Sequence, residues 1–349
     1  MSESPDILVE TVGALGRVRL NRPKALNSLT LEMIKHLAAA LKRFEADPAV
    51  GAVLVTGEGE RGLCAGGDIR ALYERGPRDI GFGGEFFRDE YRMNAHIAAY
   101  AKPYVAIMDG ITMGGGVGIS AHGSVRVVTE RTRMAMPETG IGFFPDVGGT
   151  WLLSHAPGEI GTFMGLTGDG FGGADAIYAG FADHFVPSDR LPALYEALAT
   201  LPATATLADV RGVVSRLAET VPAPMAAHRA EIDAAFAHDE VEQIVAALKA
   251  SGSAFAQKTL AVMAQKSPTS MKVTLRMLRL ARHDESLKDS LEREFAATHS
   301  VLASDEFYEG VRAAVVDKDR TPKWRPATLE EVSAATVEAY LRNSPDRLF

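Results

Sequence analysis

Thiol chemistry is nearly absent from this chain, which carries one cysteine, Cys64, in 349 residues. A single thiol cannot close an internal disulfide and leaves a Cys-based zinc site without ligands. The nine histidines are scattered and form no His-Glu-x-x-His pair, so no metal site is expected. Positive charge is also in deficit, with 37 Lys and Arg against 45 Asp and Glu and a formal net charge of −8. That balance argues against a nucleic-acid partner or an anionic membrane surface, and any basic patch for an anionic ligand has to be local. No uninterrupted apolar run approaches the ~20 residues of a membrane span, and the short acidic N-terminal stretch has no apolar h-region. A cytoplasmic setting is expected. What the chain does contain is 46% hydrophobic and 23% charged residues, the balance of a globular protein with core enough for one large domain or two modest ones.

Patterning divides the chain near residue 200. Residues 7–10 and 16–20 read as a hairpin about Gly13, with Val18 and Leu20 alternating against Arg17 and Arg19. Leu31, Ile34, Leu37, Leu41 and Phe44 then recur at helical spacing, between a cap at Ser28 or Thr30 and a stop at Pro48. Residues 52–56 and 104–108 are short apolar runs of the kind that form buried parallel strands, and 125–129 and 134–136 add two more. Strands separated by helices indicate an α/β fold with a mainly parallel sheet. Between them, 76–101 reads as a mobile loop containing Gly81, Gly83 and Gly84, followed by a helix. Beyond residue 201 the pattern is helical throughout, with segments at 241–250, 254–265, 270–281, 286–302 and 307–316. The expected organisation is a catalytic core at 1–200 and a helical lid or assembly region at 201–349.

One formal match misleads. Gly57-Glu58-Gly59-Glu60-Arg61-Gly62 fits the dinucleotide fingerprint after a strand, but Gly62 leads into Leu63-Cys64-Ala65-Gly66-Gly67 instead of opening a helix.

The chemistry concentrates in residues 136–149, where Glu138 and Asp146 stand on a stretch stiffened by Pro137 and Pro145 and hinged at four glycines. Apolar neighbours such as Ile141, Phe143 and Phe144 would desolvate these acids and raise their pKa toward the range useful for proton transfer. The alternative is that Asp146 only caps a helix starting at Val147 and that Glu138 is a surface residue. Two glycine clusters, Cys64-Ala65-Gly66-Gly67-Asp68 and Met113-Gly114-Gly115-Gly116-Val117-Gly118, each follow a strand and precede a helix, where backbone N–H groups can receive developing negative charge. Each could equally be a tight turn. Ser120 and His122 read as packing residues, and Cys64 as a small buried group.

Taken in order, Asn21-Arg22-Pro23-Lys24-Ala25-Leu26-Asn27, Ala65-Gly66-Gly67-Asp68-Ile69, Gly114-Gly115-Gly116 and Met136-Pro137-Glu138 resemble the crotonase superfamily of acyl-CoA enzymes. Phe86-Phe87-Arg88-Asp89-Glu90-Tyr91, Phe144-Pro145-Asp146-Val147-Gly148-Gly149 and Asp317-Lys318-Asp319-Arg320-Thr321-Pro322-Lys323-Trp324 are most similar to its 3-hydroxyisobutyryl-CoA hydrolase family. The resemblance implies a crotonase-like stacked ββα core with a helical C-terminal region. It implies an oxyanion hole at the amides of Gly67 and Gly115, a CoA path along Lys24, Leu26, Ala65 and Asp68, and Glu90, Glu138 and Asp146 facing the acyl group. No cofactor is implied, since coenzyme A is part of the substrate, and the acyl-CoA is the expected partner, with room for a homo-oligomer. Hydratases of the superfamily carry a second glutamate two residues after the triple glycine, where this chain has Gly118. The implied reaction is therefore thioester hydrolysis, with Glu138 as base or nucleophile. Hydration or isomerisation by Glu138 alone, and a non-catalytic CoA-ester binder, are the alternatives.

Overall fold

The computed structural model describes residues 5–342 and 346–349. Among the described residues nine strands run in chain order: β1 (Ile7–Val12), β2 (Leu15–Leu20), β3 (Ala52–Gly57), β4 (Gly62–Cys64), β5 (Tyr104–Met108), β6 (Ile111–Met113), β7 (Val125–Val128), β8 (Arg133–Ala135) and β9 (His184–Phe185). They form a six-stranded sheet of order β1-β2-β3-β5-β7-β9 and a three-stranded sheet of order β4-β6-β8. Only the β1–β2 hairpin of the larger sheet is antiparallel, and its turn is made at Gly13 with φ +60°. Val9, Val18, Val55 and Ala106 stand in one row across it. Successive pairs β3/β4, β5/β6 and β7/β8 send one strand to each sheet before the chain turns helical, which is the stacked ββα arrangement expected of the core.

The sequence signals act locally as physical chemistry requires. Thr30, of the two candidate caps, accepts a hydrogen bond from the Met33 amide and starts the helix Leu31–Ala46, whose buried stripe is Met33, Ile34, Leu37, Ala40, Leu41 and Phe44. Gly62 opens β4 and no helix, so the dinucleotide-like string is a strand–turn–strand connection. Two expectations are corrected. The stretch at 80–84 is not a loop: the helix Ile80–Ala98 already includes Gly81, Gly83 and Gly84. A Cβ on Gly83 would lie 2.7 Å from Leu302 Cδ1, so a close neighbour on the helix Leu287–Leu302 overrides the low helix propensity of glycine. The helix expected at Val147 begins at Gly149 instead, with Gly148 as its N-cap.

The described chain divides into two compact units, each assembled from several segments. The first draws on Met1–Gly67, Arg92–Met134 and Phe171–Pro224, and the second on Asp68–Tyr91, Ala135–Gly170 and Met225–Phe349. These are not the two sides of a cut at 200/201. In the first unit, Leu54, Val105, Ile107, Val125 and Val127 of the large sheet pack against Leu191, Leu194 and Leu198 and against Val210, Val213 and Val214 of two helices, Leu191–Ala199 and Leu207–Ser215. The second unit is mainly helical, with Val241–Ser251, Ala254–Met263, Pro268–Ala281 and Leu287–Leu302 close to their expected positions. Helices Arg229–Phe236 and Ala334–Tyr340 join them, short segments with weak periodicity that the sequence reading passed over.

Candidate active site

In the first unit the two glycine clusters lie side by side. The 3-10 turn Pro23–Ala25 is followed by Leu26 and Asn27, both with left-handed backbones, φ +53° and +55°. Asn27 holds that conformation in place: it is buried, its Oδ1 accepts from the Arg22 amide at 2.9 Å, and its Nδ2 donates to the Glu58 and Gly62 carbonyls at 3.0 and 3.1 Å. The turn thus carrying exposed Lys24 and half-buried Leu26 is stitched to the glycine strand, since Ala65 N donates to Leu26 O at 3.0 Å and Leu29 N to Gly66 O at 2.8 Å. Gly66 has φ +108°, and a Cβ there would lie 3.3 Å from Met113 O and 3.6 Å from Gly115 N, which leaves room for the second glycine turn alongside. Gly115 lies in the first turn of the helix Gly115–Gly118, where a backbone amide has no intrahelical acceptor. Lys24, Leu26, Ala65, Gly67 and Gly115 are thus gathered in one unit. Cys64 is buried beneath them, and the Ser120 hydroxyl donates to Gly116 O at 2.6 Å, as suits packing residues.

The second unit holds the acids. Glu138 opens the one-turn helix Glu138–Ile141, is 6% exposed, and its Oε2 has no hydrogen-bond partner among the described residues. Asp146 is equally buried and accepts from the Tyr91 hydroxyl at 2.8 Å. Glu90, on the helix Ile80–Ala98, is 2% exposed and its Oε1 likewise has no hydrogen-bond partner among the described residues. Asp68, the remaining expected site residue, caps the helix Ile69–Arg75 by accepting from Ala71 N at 3.2 Å. Around the acids, Phe143 stacks on Phe87 and Phe144 with ring centroids 5.4 and 4.6 Å apart, an apolar wall that keeps the local dielectric low.

Burial decides how these groups titrate. It raises Glu138 and Glu90 well above the ordinary carboxylate range, and in both the charge of Asp146 adds to the rise. Burial also pushes Asp146 up to about 7, although the Tyr91 hydroxyl donates to it and opposes the shift. The arrangement therefore offers one carboxyl, Asp146, that exchanges protons near neutrality, beside two whose charged forms burial disfavours, a pairing of environments suited to general acid–base work.

Three participants were not singled out from the sequence. Tyr91 orients Asp146. Lys266 tempers the rise at Glu138, and a Cβ on Gly140 would lie 3.5 Å from its Nζ, so the ammonium sits beside the Glu138 turn. Glu294, fully buried, accepts from Gly148 N at 2.7 Å, from Thr150 N at 3.0 Å and from the Thr150 hydroxyl. A signal for Glu294 was available: it shares the buried stripe of its helix with Leu291, Phe295, Thr298 and Val301, and an acid on an apolar stripe needs a reason. Among the described residues no group of three His, Cys, Asp or Glu is placed to hold a metal ion, and no helix is long and apolar enough to cross a membrane.

Comparison with known proteins gives a consistent pattern. A family model described as enoyl-CoA hydratase/isomerase matches residues 15–341. The mitochondrial 3-hydroxyisobutyryl-CoA hydrolase of Rattus norvegicus is 42% identical over 99% of this chain and 91% of its own length. The corresponding protein of Danio rerio is 43% identical over 98% and 91%. Among solved structures, a carnitinyl-CoA dehydratase from Mycobacterium thermoresistibile is 48% identical, with a TM-score of 0.94 and 99% of both chains covered.

Proposed function

The chain belongs to the enoyl-CoA hydratase/isomerase family, and from that membership we propose that it hydrolyses the thioester of a short β-hydroxyacyl-CoA, foremost 3-hydroxyisobutyryl-CoA, giving 3-hydroxyisobutyrate and coenzyme A. The observation that carries this reading is Glu138, a buried carboxyl whose pKa burial raises well above the ordinary range and one of whose oxygens has no hydrogen-bond partner among the described residues. It either takes a proton from the attacking water or itself adds to the thioester carbon to form a mixed anhydride that water then opens. In both routes the carbonyl oxygen becomes an oxyanion, received by the amides of Gly67 and Gly115. Losing one such donor typically costs about 3 kcal/mol of barrier. The C–S bond then breaks, and Asp146, which titrates at about 7, hands a proton to the departing thiolate or accepts a hydrogen bond from the β-hydroxyl. Glu90 faces the acyl group in this reading, while Lys24, Leu26, Ala65 and Asp68 follow the CoA moiety. Coenzyme A enters only as part of the substrate.

A second reading has an observation of its own. The mycobacterial neighbour is described as a dehydratase, and a β-hydroxyacyl thioester has a hydroxyl that can leave as water. Against it stands Gly118, where the family's hydratases hold a second glutamate. Removing or adding water across a double bond needs acid–base groups for both the water and the α-proton, whereas hydrolysis proceeds with one carboxylate and an oxyanion hole. The experiment supplies 3-hydroxyisobutyryl-CoA, 3-hydroxypropionyl-CoA, isobutyryl-CoA and crotonyl-CoA separately, following thiol release and enoyl absorbance in parallel. Thiol release fastest with the two hydroxylated esters is expected. Rapid enoyl turnover without thiol release would replace hydrolysis with hydration.

We place the catalytic groups within residues 1–200, with Lys266 and Glu294 from beyond residue 200 supporting them, and propose a homo-oligomer. We also propose a cytoplasmic setting in a valine-degrading route; the mitochondrial location in the relatives' names is theirs.

A further inference from the structure

The two residues after Asp146 both have left-handed backbones, Val147 with φ +55° and Gly148 with φ +76°. Gly148 adopts that conformation freely. Val147 does not: a β-branched residue there is strained, and such strain persists only where the surroundings over-determine it. The pair reverses the chain so that Asp146 O accepts from Gly149 N at 2.6 Å, and the Asp146 carboxylate is held against the Tyr91 hydroxyl. Glu294 is what the far side of this turn rests on. Its two oxygens take both amides of the turn, Gly148 N and Thr150 N, together with the Thr150 hydroxyl, from a position with no solvent exposure on the helix Leu287–Leu302. A carboxyl group is a costly choice for filling space in a core, because an apolar side chain of similar volume would pack there without desolvation. Its value lies in the acceptors it offers to one strained turn.

We propose that Glu294 is a positioning residue for the thioesterase reaction, clamping the Val147–Gly148 turn so that Asp146 presents its carboxyl in a single orientation. The inference rests on the role given to Asp146 above and extends it to the device that aims it. In Glu294→Gln only one oxygen remains to accept, and the new NH2 group faces a donor, so part of the clamp opens while the side-chain volume is kept.

The test is a kinetic cycle on 3-hydroxyisobutyryl-CoA with Glu294→Gln, Asp146→Asn and the double variant, plus Val147→Gly alone and combined with Glu294→Gln. Glu294→Gln is expected to lower kcat by about 10–100-fold, the scale of a misplaced reacting group. KM should stay within about threefold, because the proposed CoA path along Lys24, Leu26, Ala65 and Asp68 is untouched. With Asn at 146 the Glu294 substitution should cause little further loss, since there is no longer a carboxyl to aim. Val147→Gly should restore part of kcat to Glu294→Gln, because glycine holds the turn without a clamp. Unchanged kcat in Glu294→Gln, or full multiplicative losses in the double variant, would overturn the clamp. Full activity in Asp146→Asn would instead overturn the role of Asp146 on which the clamp depends. Should Glu294→Gln fail to fold, Thr150→Ala, which removes one of the three donors, replaces it in the same cycle. Should Asp146→Asn leave no measurable turnover, the Val147→Gly rescue decides.

Discussion

Glu138 and Asp146 are both buried on a loop that Pro137, Pro145 and four glycines shape. Glu138→Gln keeps that shape and removes the group proposed as base or nucleophile. Turnover should fall by about 10²–10⁴-fold, the usual scale for a positioned acid–base group, while calorimetry finds CoA-ester affinity within a few-fold of the parent. Turnover near the parental rate would move the chemistry to another residue. The same burial makes stability depend on pH. Asp146 and Glu294 titrate at about 7 and about 8 in the folded protein, against about 4 for carboxyls of an unfolded chain. Between those limits the folded state binds more protons than the unfolded one, so their contribution is fully present below about pH 4 and is lost as pH rises through 7 and 8. Melting temperature should therefore fall from pH 5.5 to 8.5, and fall less in Asp146→Asn; an equal or steeper fall in the variant would contradict this. What could not be read from the sequence at this scale is partnership. Nothing local to Glu294 says that its acceptors serve amides 146 and 144 positions away.

At the scale of elements, the readings that succeeded rest on local signals: the alternation of β2, the Thr30 cap, the apolar runs of β3 and β5. One that failed concerns a run of glycines of which Gly83 alone meets a distant side chain, Leu302. Gly81, Gly83 and Gly84 argue locally for a loop, yet they lie in the helix Ile80–Ala98, whose later turn presents Phe87, Glu90 and Tyr91 to the acid cluster. This correction is testable. A Cβ on Gly84 meets nothing within 4 Å, so Gly84→Ala should stabilise the protein by about 0.5–1 kcal/mol through helix propensity alone. No gain in a denaturant melt would mean that the segment is not helical in solution. Gly59 behaves in the opposite way. It has φ +84°, and a Cβ would meet Pro23 Cβ at 2.9 Å. Gly59→Ala should therefore cost stability, on the order of 1–3 kcal/mol, without changing any nucleotide affinity, because the string it belongs to is a turn between strands. Calorimetry showing NAD binding that this substitution removed would revive the dinucleotide reading.

Across the whole molecule, compactness does not follow chain order. The core of the first unit needs Val210, Val213 and Val214 from beyond residue 200, and the acid loop at 138–146 belongs with helices that come after residue 225. A fragment comprising residues 1–200 should accordingly show no cooperative melt and no dispersed amide spectrum. A well-folded fragment would restore the simple division read from composition. The interleaving also sets a timetable during synthesis. The Asp146 loop leaves the ribosome long before the Glu294 that grips its amides, 146 positions further on at Gly148. At roughly 5–20 residues per second that is a wait of about 7–30 s. Through that interval the nascent loop has its prolines and glycines but not its acceptor, so the acid at its tip exists as a residue well before it exists as a directed one.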